Sequence, residues 1–167
     1  MISGRVAYRR HLPHYQQDNC SYYVTFVTKC RFVLPPIARD IVLRHILFDE
    51  GRRMYLHTAV VMPDHAHLLL TPFWNEAGDP YSIARTMKGI KGASARNVNL
   101  ALGRKGTLWL GESFDHELRR DESIEEKSQY IAMNPVRAGL VNTPDEYPWL
   151  WRRWIDRPEE NDLLTNT

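Results

Sequence analysis

His65-Ala66-His67 is the segment whose residue types and spacing most directly suggest chemistry. On an extended strand, side chains alternate, so imidazoles at i and i+2 leave the same face and can share one divalent ion. Ala66, Leu68 and Leu70 then point to the other face, into a core. Judged by spacing alone, a metal pair and two surface histidines after the Pro63-Asp64 turn are equally good readings. Two histidines leave a catalytic ion short of ligands, so a third protein ligand should come from elsewhere, with positions left for water and substrate oxygens. Tyr130 and Asn134 lie four apart and would share one face of a helix, where a phenol and an amide carbonyl could both reach the histidines. The bland alternatives are a packed core tyrosine and an asparagine cap ahead of Pro135, and the residue types alone favour them. His116 reads as structural, or at most as a substrate or supporting contact.

These side chains need a frame. Residues 21–28 are rich in aromatic and β-branched types and predict a strand. Pro35-Pro36 opens a helix over 37–51 with apolar residues at helical spacing, closed by Gly51. Residues 54–62 and 65–71 predict a hairpin around Pro63-Asp64. A second helix runs from 81 to about 102, a fourth strand or extended edge spans 109–118, and a third helix follows Asp121, with Ser123 and Glu126 in capping-box spacing. The order β-α-β-β-α-β-α predicts an α+β fold: a ferredoxin-like split β-α-β antiparallel sheet with helices on one face and an additional helix carrying Tyr130. A chain of 167 residues suits one domain, 1–150, with a tail at 151–167. The segment 144–154, bearing Trp149, Trp151 and Trp154, is expected to pack back on the domain rather than stack on unpaired bases.

Composition excludes several classes. Apolar residues make up 43% and charged residues 25%, ordinary values that leave no room for a disordered or fibrous chain. No apolar run approaches the roughly 20 residues of a membrane helix, and the basic N-terminus lacks the apolar core of a secretory signal, so a cytoplasmic protein with no membrane partner is expected. Cys20 and Cys30 flank a strand that holds them beyond disulfide reach and read as reduced packing cysteines. The net charge of +2 hides a segregation: residues 84–105 carry 6 basic side chains and no acidic one, whereas 106–130 carry 3 basic and 7 acidic. A run of Arg85, Lys88, Lys91, Arg96, Arg104 and Lys105 suits a polyphosphate backbone, although a solvated helix face is the commoner use of such a run. Arg5, Arg9 and Arg10 could form an arm that reads a base edge, or simply a solvated start.

Two longer segments carry a resemblance. Val61-Met62-Pro63-Asp64-His65-Ala66-His67-Leu68-Leu69, followed by Tyr130-Ile131-Ala132-Met133-Asn134-Pro135-Val136-Arg137-Ala138-Gly139-Leu140-Val141, resembles the single-tyrosine HUH transposases, most closely the REP-associated tyrosine transposase branch. The similarity runs from about Tyr22 to Trp149. It implies a metal pair at His65 and His67, a nucleophile at Tyr130 and a third ligand at Asn134, from the nucleophile's helix; relatives in insertion sequences often carry Gln there. It implies Mg²⁺ or Mn²⁺ as cofactor and single-stranded DNA hairpins or palindromic repeats as partner. The implied reaction cuts and rejoins DNA through a 5′-phosphotyrosine with a free 3′-OH. With that substrate, Lys88, Lys91 and Arg96, and with them Arg104 and Lys105, become candidate phosphate contacts. The competing functions are an insertion-sequence transposase moving its own element and a domesticated protein that binds hairpins without cutting. Both monomer and homodimer are compatible with the sequence.

Overall fold

The alternation of apolar residues in the first half of the chain builds a sheet, seen here in a computed structural model that describes residues 20–153. Its strands are β1 (Tyr22–Val27), β2 (Met54–Val61), β3 (His65–Pro72), β4 (Phe114–Glu117) and β5 (Leu150–Arg152). They lie in the order β4-β1-β3-β2-β5, and every pairing is antiparallel. The first four strands have the split β-α-β arrangement expected of the sequence, and β5 extends it beside β2. The boundary expected at residue 150 therefore falls within β5.

Helix α1 (Pro36–Asp49) starts at a proline whose missing N–H costs nothing in the first turn. Helix α2 (Ile83–Leu102) starts two residues later than expected. Ser82 caps it by accepting from the Arg85 N–H, and Gly103 ends it in the left-handed conformation at φ 60°. Both helices bury an apolar side against the same face of the sheet. There Val24, Phe26, Leu56, Ala59, Ala66, Leu68 and Leu70 meet Val42, Ile46, Met87, Ile90 and Val98. The alternate residues of the strands face the other way, where Val60 and Leu69 pack with Ile131 of α3 (Ile124–Ala132) and with Tyr147.

The fourth strand is shorter than the expected 109–118. Trp109 makes only an isolated bridge to Thr28, because its indole turns into the core, edge-on to Phe26 at 4.7 Å, and donates to the Ser94 hydroxyl at 3.0 Å. The last stretch packs back as expected. Tyr147 donates to the Val61 carbonyl at 2.7 Å, and Trp149 donates to Asp40 at 2.7 Å while the Arg39 guanidinium lies over its ring. Cys20 and Cys30 are exposed, so neither packs as expected. Arg5, Arg9, Arg10 and Trp154 lie outside the described residues. Among the described residues, no helix is long and apolar enough to cross a membrane.

Candidate functional site

β3 presents His65 and His67 on the face shared with Leu69, as strand alternation requires. Their rings lie 4.8 Å apart, edge to face. Each ring has its Nδ1 occupied. The Nδ1 of His65 lies 2.6 Å from Asp64 Oδ1. The Nδ1 of His67 lies 2.9 Å from the Tyr23 hydroxyl and 2.7 Å from that of Thr25, both on β1. Register explains the second arrangement, because Thr25 is the direct cross-strand partner of His67. Tyr23 also stacks on His67, with centroids 5.4 Å apart and planes 19° from parallel.

Asp64 is fixed from behind. Its carboxylate meets the Arg31 guanidinium at 3.3 Å, and its carbonyl accepts from the Thr28 N–H and hydroxyl. The turn that supplies Arg31 places Cys30 and Arg31 both at φ 53°, a region that costs a non-glycine residue on the order of 1 kcal/mol or more. Burial pushes the Asp64 carboxyl up, but the bonds to His65 and Arg31 outweigh it, and the net shift is downward. Burial, reinforced by the nearby charges of His65 and Arg137, pushes His67 down to about 3. His67 is therefore a neutral imidazole at physiological pH, the form that can ligate a cation.

Tyr130 projects from α3 and is 53% exposed. Its ring carries the Arg137 guanidinium at 4.2 Å and the Lys127 ammonium at 5.5 Å. The same ammonium lies 5.1 Å from the ring of Tyr23. A continuous series of contacts thus joins His67, Tyr23, Lys127, Tyr130 and Arg137. Arg137 also donates to the Tyr130 carbonyl at 2.9 Å.

Asn134 differs from the expectation that it shares the helix of Tyr130. It opens a separate turn, α4 (Asn134–Arg137), after α3 has ended at Ala132. Pro135 is the cause: it has no N–H to give the Ile131 carbonyl, and the Asn134 side-chain amide fills that place at 3.1 Å. The Asn134 Nδ2 is spent on this bond. Its Oδ1 is the atom of the pair that can serve a cation.

The basic residues divide. Lys88, Arg96 and Lys105 are exposed. Arg104 bonds to Asn99 at 2.8 Å and covers the Phe32 ring. Lys91 is a correction, because its side chain turns inward: it is 9% exposed and donates to the Gly111 carbonyl at 3.0 Å and the Ser113 hydroxyl at 3.2 Å. An ammonium committed to a loop is a poor phosphate contact. His116 bonds to Glu122 at 3.0 Å.

Residues 16–134, a span that includes both histidines, Tyr130 and Asn134, match the family described as "Transposase IS200 like". The chain belongs to that transposase family. It is 28% identical over 94 residues to the "Putative REP-associated tyrosine transposase" of Haemophilus influenzae, covering 53% of each protein. The chain thus spans about half the length of that curated relative. The fold is that of a solved structure, a REP-associated tyrosine transposase bound to a REP hairpin, with TM-score 0.60 and 22% identity over 81% of this chain and 80% of the other.

Sequence reasoning did not single out Tyr23, Thr25, Asp64, Arg137 and Lys127, which contact the residues of the candidate site. Asp64 and Arg137 lay within segments already singled out, and Lys127 stands three residues before Tyr130 on one helix. Tyr23 and Thr25 belong to the site through sheet register, which leaves no mark in the residues themselves.

Among the described residues, no group of three His, Cys, Asp or Glu could hold an ion. Two imidazoles with an amide oxygen and substrate oxygens is the donor set this chain can offer. With both Nδ1 atoms held by oxygens, the Nε2 atoms are left for an ion, and that mixed nitrogen and oxygen set fits a divalent ion such as Mn²⁺ or Mg²⁺.

Proposed function

We propose that the chain is a metal-dependent endonuclease and strand transferase that cuts and rejoins single-stranded DNA at short palindromic hairpins through Tyr130. The observation that carries this reading is the pair of imidazoles with occupied Nδ1 atoms, joined through Tyr23 and Lys127 to an exposed phenol flanked by two cations. The similarity to REP-associated transposases, one of them solved with a REP hairpin, supports the hairpin as substrate and a cytoplasmic setting.

In neutral His67, a proton on Nδ1 lets the Tyr23 and Thr25 oxygens accept and leaves the Nε2 lone pair outward. Asp64 selects the same tautomer in His65. His65, His67 and the Asn134 Oδ1 would hold Mg²⁺ or Mn²⁺, which supplies charge to polarise the scissile phosphate when bound. The Tyr130 hydroxyl gives up its proton to solvent and its oxygen attacks phosphorus, forming the O–P bond as the bond to the 3′ oxygen breaks, and that oxygen departs as a hydroxyl on taking a proton from solvent. The bond energy is kept in the phosphotyrosine, so a 3′-OH can reverse the step and join new ends. Negative charge grows on the non-bridging oxygens during the attack, and Arg137 and Lys127 lie where they can offset it.

A labelled hairpin with single-stranded flanks, incubated with protein and Mn²⁺ and run on a denaturing gel, tests the reading. A protein-linked band is expected from the wild type and none from Tyr130→Phe, which should still bind the hairpin. An undiminished band from Tyr130→Phe would refute the assignment.

A further inference from the structure

Phe114 is 65% exposed, on the edge strand of the sheet. Its direct partner on β1 is Thr25, whose own partner on β3 is His67. Cross-strand partners share a face, so Phe114, Thr25 and His67 form one row, and Phe114 stands two strand spacings, about 10 Å, from His67. The neighbouring residues confirm which way it points. Ser113 turns to the opposite face, where it accepts from Lys91, and Glu117 does the same, accepting from Tyr22 at 3.4 Å. On the site face, β4 carries Phe114 and His116.

We propose that Phe114 is a stacking platform for an unpaired base of the substrate strand next to the metal site, with Lys91 pinning the loop that carries it. The occupant is single-stranded DNA, an identity that rests on the nuclease reading above. A large aromatic left in water beside the cleavage position is the element such strands use, because every base offers a π-face regardless of sequence. The acids of β4 itself lie on the other face, and on this one the Glu122 carboxylate is held by His116. The same exposed acids, Asp115 and Glu117, disfavour a second copy pairing along this edge. In this arrangement Lys91 acts through the loop 111–113 and not on phosphate, which accounts for a buried cation on a helix whose Lys88 and Arg96 are exposed.

The test uses the full-length protein, chelator to prevent cutting, and a DNA hairpin with a short single-stranded extension in which 2-aminopurine replaces one base at a time. Wild type should quench the fluorophore at one or two extension positions. Phe114→Ala should abolish that quenching and weaken binding of the extended hairpin about tenfold, leaving the unextended hairpin unaffected, and Phe114→Trp should keep both. Quenching absent from the wild type, or equal in Phe114→Ala, overturns the proposal. So does a change from dimer to monomer in sedimentation with quenching intact, which would give the surface to a second copy. Covalent attachment through Tyr130 is scored separately in Mn²⁺. A linked band without quenching sinks only the stacking role, and quenching without a linked band sinks only the cutting reading.

Discussion

Each imidazole of the site has a second attachment, and these differ in kind. His65 leans on a carboxylate next to it in sequence, itself braced by Arg31, whereas His67 leans on two hydroxyls from another strand. Supporting contacts of this type orient a ligand and set its tautomer, and their loss costs about 10- to 100-fold in metal affinity. Thr25→Val and Asp64→Asn should therefore each weaken Mn²⁺ binding by about tenfold in calorimetry, with the fold retained. Unchanged affinity in both would mean that the ion, if bound at all, does not use these rings. Asp64 was within reach of sequence reading because it adjoins the histidine. Thr25 was not: forty-two residues separate it from His67, and only the register of two strands brings them together.

Two elements depart from regularity, and each departure has a local cause. Pro135 splits the segment that bears Tyr130 into α3 and α4, so the Asn134 side chain is set by a break that the Asn-Pro pair made visible in the sequence. The other departure lies in β2, where the register with β3 shifts between Leu56 and Thr58 and leaves His57 as the extra residue. His57 is buried, with Nε2 2.8 Å from the Thr71 hydroxyl, which in turn lies 2.7 Å from that of Ser21. Its Nδ1 has no partner among the described residues. Burial, with a contribution from Arg153, lowers His57 from 6.5 to about 3. Between those values the unfolded chain carries a proton that the folded one does not, so stability is whole above about pH 6.5 and falls as pH drops, by up to about 1.4 kcal/mol per unit from this residue. Urea unfolding at pH 7.5 and 5.0 should show that loss in the wild type and a smaller one in His57→Gln. The bulge carries no sequence signature, since an extra residue in a strand is defined only by what stands opposite.

Across the whole molecule, Trp149 packs against both apolar clusters, and its carbonyl accepts from the Val61 N–H at 2.9 Å. It ties the returning tail to β2 and to α1. Trp149→Ala should cost about 2–3 kcal/mol in chemical denaturation, somewhat less than a fully buried tryptophan. Charge is also read at this scale. Lys88→Gln and Arg96→Gln should each flatten the slope of log affinity against log salt for single-stranded DNA by about 0.7 to 1. Lys91→Met should leave that slope alone and lower stability instead, and a flattened slope in Lys91→Met would return that residue to the phosphate contacts. The sequence by itself determined the order of the first four strands and of α1, α2 and α3, because alternation, helical spacing and turn residues are local properties, but it did not show β5. It also put both histidines on one face, through the two-residue period, whereas Tyr130 and Asn134 stood out only through the resemblance to the transposases. The tertiary structure alone decided which hydroxyls hold His67, that Lys91 turns inward and that Phe114 stands in the row of the site. Those relations depend on strand order and register, which are set by the burial of two faces at once and not by any short stretch of chain.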